Sequence, residues 1–289
     1  MFYIQLMIYG ASAPVIFLLF RETRGPVILS KRARKTRKLA ERVSVSPRHT
    51  ATSVKEFIYS NVIRPFRLLF TEPVVFVFTL LSALSYGIVF ISTQSVTQVY
   101  ATNYGWEDYQ AGLVQASIVI GEFAGFITCL IQNRIYSRAA AAHSGQPNPS
   151  LPEVRLYLSI PGSFVGLTGG IFWYGWTSYR FLPWILPSVG LGFIGFGTMV
   201  VMQAIMMYIT DAYTKYAGSA SAAVCFGENV FAAFLPLSAM SIYTNLGFQW
   251  GSSLLGFIAL VLSFAPAVLV LKGEDIRRRS PFMSEAIYE

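Results

Sequence analysis

Six polar side chains stand inside otherwise apolar stretches: Tyr86, Gln115, Glu122, Gln203, Glu228 and Asn229. Two are carboxyls, Glu122 in IVIGEFAGF and Glu228 beside Asn229 in CFGENVFAA. A charge at the centre of a bilayer costs at least ~2.5–3.5 kcal/mol, so such a carboxyl must face a cavity, meet a partner or take up a proton. Two readings stay open for each: contact with a cationic substrate or a proton, or a structural hydrogen bond between helices. Tyrosine, glutamine and asparagine would supply hydrogen bonds in an apolar pocket. Asp211, near Lys215 at the end of its apolar run, reads as structural. Other chemistries find no constellation. The two histidines, His49 and His143, fall in polar loops, and Cys129 and Cys225 fall in apolar runs as core thiols. No Cys/His metal spacing and no nucleophile–base pair can be assembled, so the chain does not read as an enzyme.

The elements that must hold these groups are membrane spans. The chain has 289 residues, 54% of them hydrophobic and only 12% charged. That is half the ~25% charge usual in soluble domains, too little to cover a water-facing surface. Apolar runs near the ~20 residues a bilayer requires fall at about 1–20, 73–93, 110–132, 156–177, 182–209, 217–242 and 250–271. The run 182–209 is long for one crossing, so a tilt or a bend near Gly190–Gly197 is expected. Glycines at 121 and 125, at 162, 166 and 170, and in GLGFIGFG at 190–197 read as faces for close helix approach. The same glycines would also suit a bundle that bends.

Charge sets the orientation. Thirteen of the 22 Lys and Arg lie between Arg21 and Arg67, eight of them in RETRGPVILSKRARKTRK at 21–38. With that loop inside, only Arg180 is placed outside, so the loop and the C-terminus are expected to be cytoplasmic. Trp106, Trp173, Trp176, Trp184 and Trp250 all fall at the opposite ends of the runs, as interfacial anchors. A nucleic-acid role for the basic run would need a soluble domain to present it, so contact with anionic lipid headgroups is its expected partner chemistry. Between that loop and the second run, Val54, Ile58, Val62, Phe66 and Leu69 recur at helical spacing. They predict an amphipathic helix lying on the cytoplasmic leaflet. Glu72-Pro73 then reads as the start of a span.

Several stretches, in order, resemble the fungal drug:proton antiporters of the major facilitator superfamily, the twelve-spanning multidrug and polyamine exporter type. They are RETRGPVILSKRARK, TEPVVFVFTLLSALSYGIVF, YGWEDYQAGL, LPEVRLYLSIPG, IFWYGWTS, YITDAYTKYAGSASAA and FLPLSAMSIYTNLGFQWGSSLLGF. The resemblance implies an all-α membrane protein of about seven transmembrane helices. On it, 1–20 is the sixth family span, 21–72 the central cytoplasmic loop with its interfacial helix, 73–271 the six-helix C-terminal half and 272–289 a cytoplasmic tail.

It further implies alternating access between two six-helix halves around a midplane site. Export of small drug-like, polyamine or amphipathic compounds would be driven by the proton gradient, with no cofactor and no metal. Tyr86, Glu122, Gln203 and Glu228 would lie on cavity-lining spans, with Asn229 and Gln115 beside them. Arg134 and Arg138, in NRIYSR, resemble a worn copy of the superfamily's basic gating loop. The first five family spans would lie outside this sequence. It would then be a truncated product or gene model, or a chain that pairs with a missing N-terminal half or another transporter chain. The competing function is a non-transporting membrane protein that associates with a full-length relative. The plasma membrane, or the vacuolar membrane, is the expected location.

Overall fold

A computed structural model of the chain describes residues 2–19, 58–142 and 151–287. The basic run 21–38, His49 and His143 lie outside the described residues. The described residues contain helices and no strand, the all-α class expected. They fall into two units, one ending at Phe57 and one beginning at Ile58. In the first, helix α1 (Phe2–Leu19) is one apolar 18-residue rod with Pro14 inside it.

The second unit opens with a turn of π-helix at Tyr59–Ile63 that runs into α2 (Arg64–Thr71). Four further runs are long and apolar enough to cross a membrane: α3 (Pro73–Tyr104), α4 (Asp108–Ala142), α5 (Pro152–Thr177) and the 95-residue stretch Ile185–Arg279. At 1.5 Å per residue the last would reach roughly 140 Å if straight, several bilayers deep. It reverses twice instead. Thr214, at φ 24°, turns the chain between α6 (Ile185–Tyr213) and α7 (Ala217–Arg279). Gly247, at φ 75° and ψ 165°, folds α7 back on itself into limbs 217–246 and 248–279. That backbone conformation belongs almost solely to glycine. Six crossings result, closed by a short α8 (Pro281–Ile287).

The helices outrun the apolar runs read from sequence, because polar and aromatic residues continue the helix past the hydrocarbon depth. The long α6 is helical through Gly190–Gly197. Its glycines serve packing. A Cβ on Gly121 would collide with the carbonyl of Gly192, and one on Gly197 with the backbone at Gly166 and Leu167. These contacts lay α6 against both α4 and α5, backbone to backbone, as small residues permit in lipid. Gly175 meets Ser252, and Thr168 Oγ1 lies 3.2 Å from Ser263 Oγ, which joins α5 to limb 248–279.

The bundle has two chemically distinct ends. At one, Tyr100 donates to the Trp184 carbonyl (2.9 Å) and pairs with Ser188 (2.6 Å), Trp106 packs on Trp184, and Trp176 donates to Ser253 (3.0 Å). This is the aromatic end. The other gathers Arg155, Asp211, Glu153, Arg277 and Glu72 into pairs described below, and is the basic end.

In helix 58–71, Pro65, Leu68 and Leu69 are buried, while Ile58, Val62 and Phe66 are exposed, Phe66 with its ring edge-on to Phe226; Val54 lies outside the described residues.

Candidate functional site

Mid-bundle, α3 and limb 217–246 run side by side. Gly227 admits Thr79, since a Cβ there would overlap the threonine methyl, and Gly87 admits Phe231. That closeness brings Ser82 to Glu228: the serine Oγ donates to Glu228 Oε1 at 2.5 Å, with Glu228 only 6% exposed. Thr79 Oγ1 is buried nearby without a hydrogen-bond partner among the described residues. No Lys or Arg forms an ion pair with Glu228 among the described residues. The result is a secluded carboxyl with the Ser82 hydroxyl and the Cys225 thiol against it, a polar step in an apolar wall.

The other sequence candidates scatter around this pair. Tyr86 lies one turn beyond Ser82 on α3, half-buried, with its ring edge-on to Phe90 (5.0 Å). Asn229 is exposed and its Nδ2 donates back to the Cys225 carbonyl (2.7 Å). Gln115 sits at the break inside α4 and donates to the Thr93 carbonyl (3.3 Å), which ties α4 to α3 near the aromatic end. Glu122 is half-buried on α4 beside the packing glycine Gly121. Gln203 lines a small cleft toward the basic end together with Gln132, Asn133, Cys129 and Arg155. Of these candidates, Glu228 and Gln115 each make a hydrogen bond between two spans, and Glu228 alone does so through a carboxyl.

The basic end joins residues whose partners sequence reading did not identify. Arg155 Nε donates to Asp211 (2.9 Å) and its Nη1 to Asn133 (2.9 Å), with the guanidinium stacked 3.4 Å from the Tyr136 ring centroid. Asp211 thus bridges α6 to the start of α5. Gln132 secures the same turn, donating to the Val154 carbonyl and accepting from the Leu158 amide. Glu153 pairs with Arg277 at 2.7 Å, fixing limb 248–279 to α5. Glu72, 1% exposed at the start of α3, accepts from Tyr213 (3.2 Å) and Ser280 (2.8 Å). It does not cap its own helix with its side chain. Arg134 and Arg138 are exposed on α4 and form no ion pair among the described residues. The available signal was the short Glu153-x-Arg155 spacing in LPEVRL, whose two charges point to different helices.

A bundle of this kind, with apolar crossings, a cationic end and an aromatic end, defines an integral membrane protein. The family model of the Major Facilitator Superfamily matches residues 1–231, and the chain belongs to that family. It is 35% identical to the MFS transporter cpaT of Aspergillus oryzae over 97% of this chain and 56% of cpaT. It is 32% identical to the major facilitator superfamily multidrug transporter FLU1 of Candida albicans, over 91% of this chain and 43% of FLU1. Identity to the efflux pump atB of Aspergillus terreus is also 32%, over 97% and 60% respectively. The chain therefore spans about half the length of the curated relatives it matches. No solved structure matches it.

Proposed function

We propose that this chain is the C-terminal part of a proton-coupled exporter of drug-like compounds, polyamines or other small amphipathic molecules. The observation that carries the reading is the Ser82–Glu228 bond. It holds a carboxyl between two spans, with the Ser82 hydroxyl and the Cys225 thiol beside it and no paired cation among the described residues. A proton is the smallest cation that can neutralise such a group, and a cationic substrate is the next candidate. On this reading Tyr86 and Asn229 offer hydrogen bonds beside it, while Glu122, Gln115 and Gln203 line the same half of the pathway. The efflux and multidrug names of the relatives support the direction and breadth of transport. The basic end faces the cytoplasm by the excess of Lys and Arg there, in the plasma membrane or the vacuolar membrane. The ion-paired basic end serves as the inner gate, with Arg134 and Arg138 at its rim.

The test is reconstitution of efflux. The full chain is co-expressed with a segment supplying the first five spans of a relative, in cells loaded with a cationic dye. Energy-dependent efflux that a protonophore abolishes, and that Glu228→Gln removes, is expected. Absence of efflux with both chains in the membrane overturns the exporter reading. Efflux that survives both the protonophore and Glu228→Gln keeps transport and overturns proton coupling at Glu228.

A further inference from the structure

Helix 58–71 shows three faces. One packs on the bundle through Pro65, Leu68 and Leu69. A second is apolar and exposed: Ile63 is 49% and Phe70 75% solvent-accessible, with Phe66, 40% accessible and edge-on to Phe226 of the bundle, between them. The third carries Arg64 and Arg67, which converge on a single ring. Arg64 Cζ lies 5.6 Å from the centroid of Tyr59 and Arg67 Nη1 donates to the Tyr59 hydroxyl (3.2 Å). Further rings back both guanidiniums, Tyr216 at 5.4 Å from Arg64 and Phe282 at 5.7 Å from Arg67.

Neither arginine has a carboxylate partner among the described residues. Two like charges gathered on one tyrosine repel each other, and an anion shared between them removes that cost. Rings at cation–π distance do not use up the N–H groups of a guanidinium, which match the oxygens of a phosphate. An exposed apolar strip on the same helix adds the second half of a recognition surface. A free phosphate has no use for such a strip, whereas the chains of a lipid do.

We propose that Arg64 and Arg67 bind the phosphate of an anionic phospholipid whose acyl chains lie along Ile63, Phe66 and Phe70. The lipid holds helix 58–71 down on the bundle at the leaflet facing the basic end. The proposal is independent of the transport reading, because it concerns the placement of this helix and not the passage of substrate.

The experiment uses the full chain in neutral detergent. It is titrated with phosphatidylserine, with phosphatidylcholine and with inorganic phosphate, and read by native mass spectrometry and by thermal midpoint. Phosphatidylserine should bind and raise the midpoint, and phosphatidylcholine should not. Arg64→Gln/Arg67→Gln should weaken phosphatidylserine binding by roughly tenfold or more, as expected for two cations at a headgroup. The cations of residues 21–55 are untouched in that variant, so the difference reports these two residues alone. Where the glutamine pair does not fold, Arg64→Lys/Arg67→Lys carries the test. It keeps the charge, loses the planar paired donors of the guanidinium, and should bind several-fold more weakly than the native chain. Equal binding of the two lipids, or native affinity in the variant that folds, overturns the proposal. Equal stabilisation by inorganic phosphate overturns the lipid and assigns the site to a free phosphate.

Discussion

Glu72 and Ser280 lie 208 positions apart in sequence and meet at 2.8 Å. The bond joins the first residues of α3 to the junction between α7 and α8, and Tyr213 at the end of α6 donates to the same carboxylate oxygen. Ser280 also accepts from the Met283 amide (3.1 Å), so one hydroxyl both docks and caps α8. Truncating Glu72 to Ala strands two buried hydroxyl donors, and should cost about 1–3 kcal/mol. Thermal unfolding measures the loss. Faster amide exchange in 281–287 than in α6 would locate it, and an unchanged exchange pattern would contradict the docking role.

Arg155 and Asp211 should behave as a unit. Their side chains are 13% and 22% exposed, so the penalty of a lone buried charge is partly screened, and each single neutral variant should cost about 1–2 kcal/mol. The double variant Arg155→Gln/Asp211→Asn should cost less than the two singles together. A strictly additive double-mutant cycle in thermal unfolding would show that the pair carries no coupling.

Glycine contacts separate by position. Gly197→Ala drives a methyl into the backbone at Gly166 and Leu167, and should destabilise by about 1–3 kcal/mol through forced separation of α5 and α6. Gly218→Ala, in the first turn of α7, meets nothing within 4 Å, and should leave stability within about 0.5 kcal/mol of native. Detergent melting curves of both variants make the comparison.

Ser82→Ala removes the hydroxyl that holds Glu228. Efflux in the reconstituted system should fall several-fold with the pH profile displaced, whereas Glu228→Gln should abolish the proton dependence. An unchanged pH profile in Ser82→Ala would reduce the serine to packing. Thr79→Ala, which removes a buried hydroxyl with no partner among the described residues, should leave stability within about 1 kcal/mol of native.

The sequence made some of this visible and hid the rest for identifiable reasons. Apolar runs announced the crossings, and the Trp residues marked one end of them, because both effects are local and compositional. Glu228 stood out since a carboxyl in CFGENVFAA is locally improbable. Its partner did not, because Ser82 is an ordinary small residue whose meaning comes only from lying beside another helix. The charged braces were hidden in the same way: Glu153 and Arg277 are 124 positions apart. Helix 58–71 was legible as amphipathic from its spacing, but the burial of Pro65 and Leu68 was not, since it depends on contact with other helices.

Gly247→Ala should cost about 1–3 kcal/mol, because alanine resists the φ 75°, ψ 165° conformation that the reversal uses. A melting curve equal to native would show that the turn can reshape.

That same reversal has a mechanical meaning. With one residue between limbs 217–246 and 248–279, the reversal is set by a single pair of backbone angles. The limb that carries Glu228 and the limb braced by Arg277 through Glu153 are therefore joined at one point, and a change at Gly247 bears on both crossings together.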